Sequence, residues 1–116
     1  MIRSHDPHAP FDLTVGRLDS VATVAVVGEL DIATAPRLSA ALDVHGDAKV
    51  LVVDLTAATF IDSTGVRALI EADRRSAGSG SRFVVQVDSG PVLRVLELCE
   101  LDGRMAIVSA GSRDAL

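Results

Sequence analysis

The chain has 116 residues, of which 48% are hydrophobic and only 3% aromatic, and it carries a formal charge of −5. That length suits one compact domain and is too short for two. A negative chain lacks the basic footprint that binding to a nucleic-acid backbone requires. With no Trp or Tyr, the core must be built from Val, Leu, Ile and Ala. The single cysteine, Cys99, excludes an internal disulfide and suits a reducing compartment. The N-terminus shows no apolar signal region, and no apolar run approaches the ~20 residues of a membrane span. A soluble, cytoplasmic protein without membrane insertion is expected.

Residues 1–10, MIRSHDPHAP, are expected to form a flexible tail, and residues 11–116 the domain. His5 and His8 lie in the tail without a third metal ligand nearby. Phe11–Leu18 alternates, with Phe11, Leu13 and Val15 on one face, and predicts a half-buried strand. Asp19-Ser20 turns into a more apolar strand, Val21–Gly28, and the short connection makes the two an antiparallel hairpin.

Gly28-Glu29-Leu30-Asp31 then leads into a first helix. Thr34 is its predicted N-cap, and Pro36 fits a first turn that needs no backbone donor. Leu38, Ala41, Leu42 and His45 share one face, and Gly46 stops the helix.

Val50–Val53 with Leu55 is an unbroken apolar run and predicts a strand covered on both faces, as in a parallel sheet. A short loop then delivers Asp62-Ser63-Thr64-Gly65 to a second helix. Val66, Leu69 and Ile70 form its apolar stripe. Glu71 and Arg75 are spaced to pair along it, and Gly78, Ser79 and Gly80 end it.

Arg82–Val87 predicts another strand, and Asp88-Ser89-Gly90-Pro91 is a helix start. Val92, Val95, Leu96 and Cys99 mark the apolar face of the third helix, so Cys99 is expected to be a packed thiol. Leu101-Asp102-Gly103 turns into a last strand, Arg104–Ser109, and Ser112–Leu116 begins a short helix. The order β-β-α-β-α-β-α-β predicts a single α/β domain. Its sheet is mixed and mostly parallel, with one antiparallel strand from the N-terminal hairpin.

Enzymatic signatures are missing. No phosphate-cradling loop ends in Gly-Lys-Ser/Thr. Gly78-Ser79-Gly80 precedes a strand, so it is not a dinucleotide fingerprint. Ser63 has no nucleophile-elbow flanks, and His45 is the only histidine inside the folded region. Asp31, Asp54 and Asp62 fall near strand or loop ends, where solvated carboxylates are a better reading than a magnesium site. No cofactor and no metal are expected.

Ser63 lies at or next to the N-cap of the second helix, where serine and aspartate oxygens accept from free N–H groups. On spacing alone, capping by Asp62 and Ser63 is the better reading. A helix N-terminus also tolerates negative charge, so a phosphate on Ser63, about −1.5 to −2 in charge, is compatible with the same fold.

Three pieces carry a resemblance: VVGELDIATAPRL at 26–38, VLVVDLTAATFIDSTGVRALIEA at 50–72 and VLRVLELCELDGRMAIV at 92–108. With the hairpin they cover nearly all the chain beyond the tail, and they are similar to the anti-sigma factor antagonist (anti-anti-sigma) family, built on the STAS domain. The resemblance implies a non-enzymatic STAS-like domain that binds an anti-sigma factor, often itself a serine kinase, and so releases a sigma factor. It implies phosphorylation of Ser63 by that kinase and reversal by a PP2C-type phosphatase. Thr64 stands where many members have a second serine and is the minor alternative phosphosite. Asp31 matches the aspartate that closes the Gly-Glu-Leu-Asp signal. Asp31, Asp62, Ser63, Thr64 and Gly65 are therefore the expected partner-binding residues. The alternative is a non-switching STAS interaction subunit of a transporter or sensory complex.

Overall fold

The structure, a computed structural model, describes residues 10–109. The expected N-terminal tail, with His5 and His8, and the expected helix over Ser112–Leu116 lie outside the described residues, Pro10 excepted. Five strands appear: β1 (Asp12–Leu18), β2 (Val21–Leu30), β3 (Val50–Ile61), β4 (Arg82–Val87) and β5 (Ala106–Ser109). Three helices alternate with them: α1 (Ala35–Val44), α2 (Ser63–Ser79) and α3 (Pro91–Leu98). A 3-10 turn at Leu101–Gly103 precedes β5.

The strands lie in one sheet in the order of the chain, β1-β2-β3-β4-β5. β1 runs antiparallel to β2, and the other pairs are parallel. Sequential order together with right-handed crossovers places every helix on the same face. The side chains agree. Ala22, Val24 and Val26 of β2, Leu51, Val53 and Leu55 of β3, and Phe83, Val85 and Val87 of β4 are buried against Leu38, Leu42, Leu69, Ala72, Val92 and Leu96 of the helices. Their neighbours on the opposite face, among them Thr23, Ala25, Val52, Asp54, Val84 and Gln86, are only half-buried.

The expectation that the central strand is covered on both faces is thereby corrected. Its apolar run reflects β-branched residues suited to a pleated strand on either side, and the helices form a single layer.

β3 is also longer than expected. It pairs with β4 only from Val50 to Asp54 and continues with β2 alone to Ile61. Two irregularities shift the register, between Ala25 and Val27 and between Gly28 and Glu29. Each gives β3 one extra residue, which bends the ribbon and increases its twist. The stretch expected to be a crossing loop is this bulged ribbon.

β1 is an edge strand, and Val15 and Leu18 on it are exposed. Two contacts hold it down. The Arg37 guanidinium lies 4.8 Å over the Phe11 ring, and Arg17 makes a forked pair with Asp47 in the α1–β3 connection, at 2.9 and 3.1 Å. Pro10 lies against Gly28, whose φ is +99°. A Cβ at Gly28 would overlap the Pro10 carbonyl oxygen, so both backbone conformation and space require glycine there.

Several local expectations change. Cys99, expected to be packed, is exposed: it is the C-cap of α3, past the last helical residue Leu98, which is itself exposed. Arg75 pairs with Asp43 of α1 at 3.1 Å rather than with Glu71. His45 is the C-cap of α1, and α2 ends at Gly80 with φ +78°, the left-handed cap that glycine favours.

Candidate functional site

The site is built where the β2–β3 ribbon ends. Leu30 pairs with Ile61, so Asp31 and Asp62 each follow the last paired residue of parallel neighbours. Parallel register thus sends both signal motifs off the sheet at one edge. The Asp62 N–H donates to the Leu30 carbonyl at 3.2 Å and ties the two turns together.

Asp62, not Ser63, is the N-cap of α2. Its backbone is extended, and its Oδ1 accepts from the Thr64 N–H at 2.9 Å and the Gly65 N–H at 3.1 Å. Ser63 becomes the first helical residue and is exposed. Because Asp62 satisfies the free donors, the Ser63 oxygen is not needed as a cap. Thr64 is half-buried, less accessible than its neighbour.

Gly65 is buried in the angle between helix and ribbon. A Cβ on it would sit 2.7 Å from Ile61 Cγ1 and 3.0 Å from the Leu30 carbonyl oxygen. Glycine there allows the first turn of α2 to press onto the ribbon end, which fixes where Ser63 points.

Asp31 is 3% exposed. Its Oδ1 accepts from the Ala33 N–H at 2.9 Å and the Thr34 N–H at 3.1 Å. Thr34 occupies the position before α1, but its side chain does not cap the helix. Its hydroxyl instead donates to the Glu29 carbonyl at 2.7 Å and accepts from the Asp31 N–H at 2.9 Å. The Asp31 turn is thus held by the Asp31 carboxylate and the Thr34 hydroxyl, next to the turn that carries Ser63. Ile32, at the tip of that turn, is 75% exposed. Ile32 was not among the expected site residues; the signal for it is a large apolar side chain directly after Asp31, inside the turn that Asp31 and Thr34 close.

Asp54 does not join the other two aspartates. It lies within β3, on the uncovered face, and its Oδ1 accepts from the Thr56 N–H at 2.9 Å beside the first bulge. Among the described residues, no three His, Cys, Asp or Glu side chains gather as a metal site. None of the described helices is long and apolar enough to cross a membrane, which says nothing of β-barrels.

An edge that presents one exposed hydroxyl and one exposed apolar side chain on hydrogen-bonded turns is suited to docking a macromolecule. Residues 13–109 match the family model described as "Mlab, STAS domain". The chain belongs to the STAS domain family, and within it to the anti-sigma factor antagonists. It is 30% identical to the anti-sigma-F factor antagonist RsfB of Mycobacterium tuberculosis over 105 residues, covering 87% of this chain and 85% of that one. Its fold matches the crystal structure of an anti-sigma factor antagonist from Mycobacterium paratuberculosis with a TM-score of 0.79 at 27% identity, over 91% and 90% of the two chains. The unphosphorylated form of the antagonist SpoIIAA shares the fold at a TM-score of 0.67 and 16% identity, over 91% and 93%. These relatives bear the names of regulatory binding proteins rather than enzymes.

Proposed function

We propose that the protein binds an anti-sigma factor through the edge formed by Asp31, Ile32, Asp62, Ser63, Thr64 and Gly65, and that phosphorylation of Ser63 ends the complex. The observation that carries this reading is the division of labour at the start of α2. Asp62 caps the helix, and Ser63 stands exposed beside it. A kinase can reach the Ser63 hydroxyl without unwinding the helix.

The physical consequence is local. A phosphate brings about −1.5 to −2 charge and sits at a helix N-terminus, which favours it within the free domain. In a complex the same charge is driven into an interface, where like-charge or unpaired juxtaposition costs several kcal/mol. Each ~1.4 kcal/mol is tenfold in affinity, so one modification acts as a switch without refolding. The anti-sigma factor is the proposed kinase, and a PP2C-type phosphatase the proposed reversal. Localisation in the cytoplasm follows from these partners.

The test has two arms. Peptide mass spectrometry of the protein from its own cells is expected to find one phosphate on Ser63, absent in Ser63→Ala. A phosphate on Thr64 instead would move the site by one residue. In calorimetric titration against the anti-sigma factor that co-purifies with it, Ser63→Ala is expected to bind like wild type and Ser63→Asp at least tenfold more weakly. Equal affinities for Ser63→Asp and wild type would refute the switch. Co-purification of a transporter component in place of an anti-sigma factor would favour the non-switching reading.

A further inference from the structure

Below Ser63 runs an open groove of about 480 Å³ along α2, lined by Ser63, Val66, Arg67, Ile70, Glu71, Arg74 and Arg104. The first six share one stripe of the helix. Arg104 comes from elsewhere in the chain. It was expected to open the last strand, but β5 begins at Ala106, and Arg104 ends the 3-10 turn instead. Its guanidinium thereby joins two arginines of α2.

The charge of this groove is opposite to that of the molecule. Three arginines face one glutamate, in a chain of formal charge −5. The ion pairs among the described residues are Arg17–Asp47 and Arg75–Asp43, and the groove arginines take part in neither. Val66 and Ile70 give the groove an apolar floor between the cations. From Ser63 to Arg74 the stripe extends about 16 Å at the helical rise of ~1.5 Å per residue, room for about three turns of a docked helix.

We propose that this groove receives an acidic, amphipathic segment of the anti-sigma factor, with carboxylates on Arg67, Arg74 and Arg104 and apolar side chains on Val66 and Ile70. The proposal rests on the anti-sigma factor reading and specifies the chemistry of the partner. Arginine suits the role because its planar fork matches a carboxylate, and such pairs gain strength where water is excluded. The net charge of −5 would repel an acidic segment over most of the surface, so the arginine-lined groove is where such a segment is accepted. A positive groove on a negative protein sets the orientation of encounter.

The probe is a fluorescein-labelled helical peptide with Glu along one stripe and Leu along the other, beside the same peptide with Lys in place of Glu. Fluorescence anisotropy at low salt is expected to show binding of the Glu peptide and none of the Lys peptide. Arg67→Glu combined with Arg74→Glu is expected to weaken the Glu peptide at least tenfold. Arg104→Glu, on a separate element, is expected to weaken it too, which keeps the test valid if the double variant misfolds. Arg75→Glu, outside the groove, is expected to bind as wild type. Equal binding of the two peptides, or no loss in the groove variants, would overturn the proposal. Loss in those variants while Ser63→Asp leaves anti-sigma factor binding intact would keep the groove and remove the switch. The converse pattern would keep the switch and remove the groove.

Discussion

At the residue scale, the site depends on Gly65 as much as on Ser63. In the proposed switch the hydroxyl accepts the phosphate, and the absent Cβ of Gly65 lets the first turn of α2 sit against the ribbon end. An alanine methyl would have to displace the Ile61 side chain and also the Leu30 carbonyl oxygen, which belongs to the backbone and yields poorly. Gly65→Ala is expected to cost about 1–3 kcal/mol in urea unfolding, as overpacking typically does. It is expected to weaken anti-sigma factor binding as well, because the first turn of α2 tilts away from the Asp31 turn. A stability equal to wild type would show that the ribbon end is softer than its contacts suggest. Asp31 and Asp62 behave alike in this respect: both use a carboxylate oxygen to hold backbone N–H groups. Their types were legible as motif residues, and so was Ser63. That Asp62 alone caps α2 was not, because two adjacent residues both have capping side chains and only the backbone angles choose between them.

At the scale of elements, the order and type of every strand and helix within residues 10–109 were legible from periodicity and turn residues. The length of β3 was not. Its second half, Thr56–Ile61, mixes small, polar and apolar residues, because bulges interrupt the alternation that would mark a strand. The groove was illegible for another reason: Arg104 is far from Arg67 and Arg74 in sequence, and only the fold joins them. β1 offers a separate test. It is an exposed edge pinned through Arg17 to Asp47, whose carboxyl is held below its ordinary 3.8 chiefly by the guanidinium hydrogen bonds. A depressed folded value means the pair contributes stability above the unfolded value and loses it as pH falls through the depressed one. Asp47→Asn is therefore expected to lower the melting temperature slightly at neutral pH, with the gap closing in acid below about pH 4. The effect is small because the pair is exposed to solvent. A gap that widened in acid would contradict the assignment.

For the whole molecule, the single helical layer has a direct energetic signature. Val52 and Val53 are adjacent and identical in type, yet Val53 is fully buried and Val52 only half-buried. Val53→Ala is expected to cost about 2 kcal/mol, and Val52→Ala less than half as much. Equal costs in chemical denaturation would mean that something covers the second face of the sheet in solution. The sequence could not distinguish these valines, since β-branched residues suit both sides of a strand.

The antiparallel start of the sheet also has a practical consequence. β1 sets out beside the end of β2, where Pro10 rests on Gly28, and β5 finishes at Ser109 beside the end of β4. Both ends of the described chain thus emerge on the rim that carries Ser63. A handle fused directly at either end of the described residues would start from the rim that the proposed partner uses. The Asp19-Ser20 turn lies at the opposite rim, so the same handle inserted there separates weak binding from obstruction by a tether.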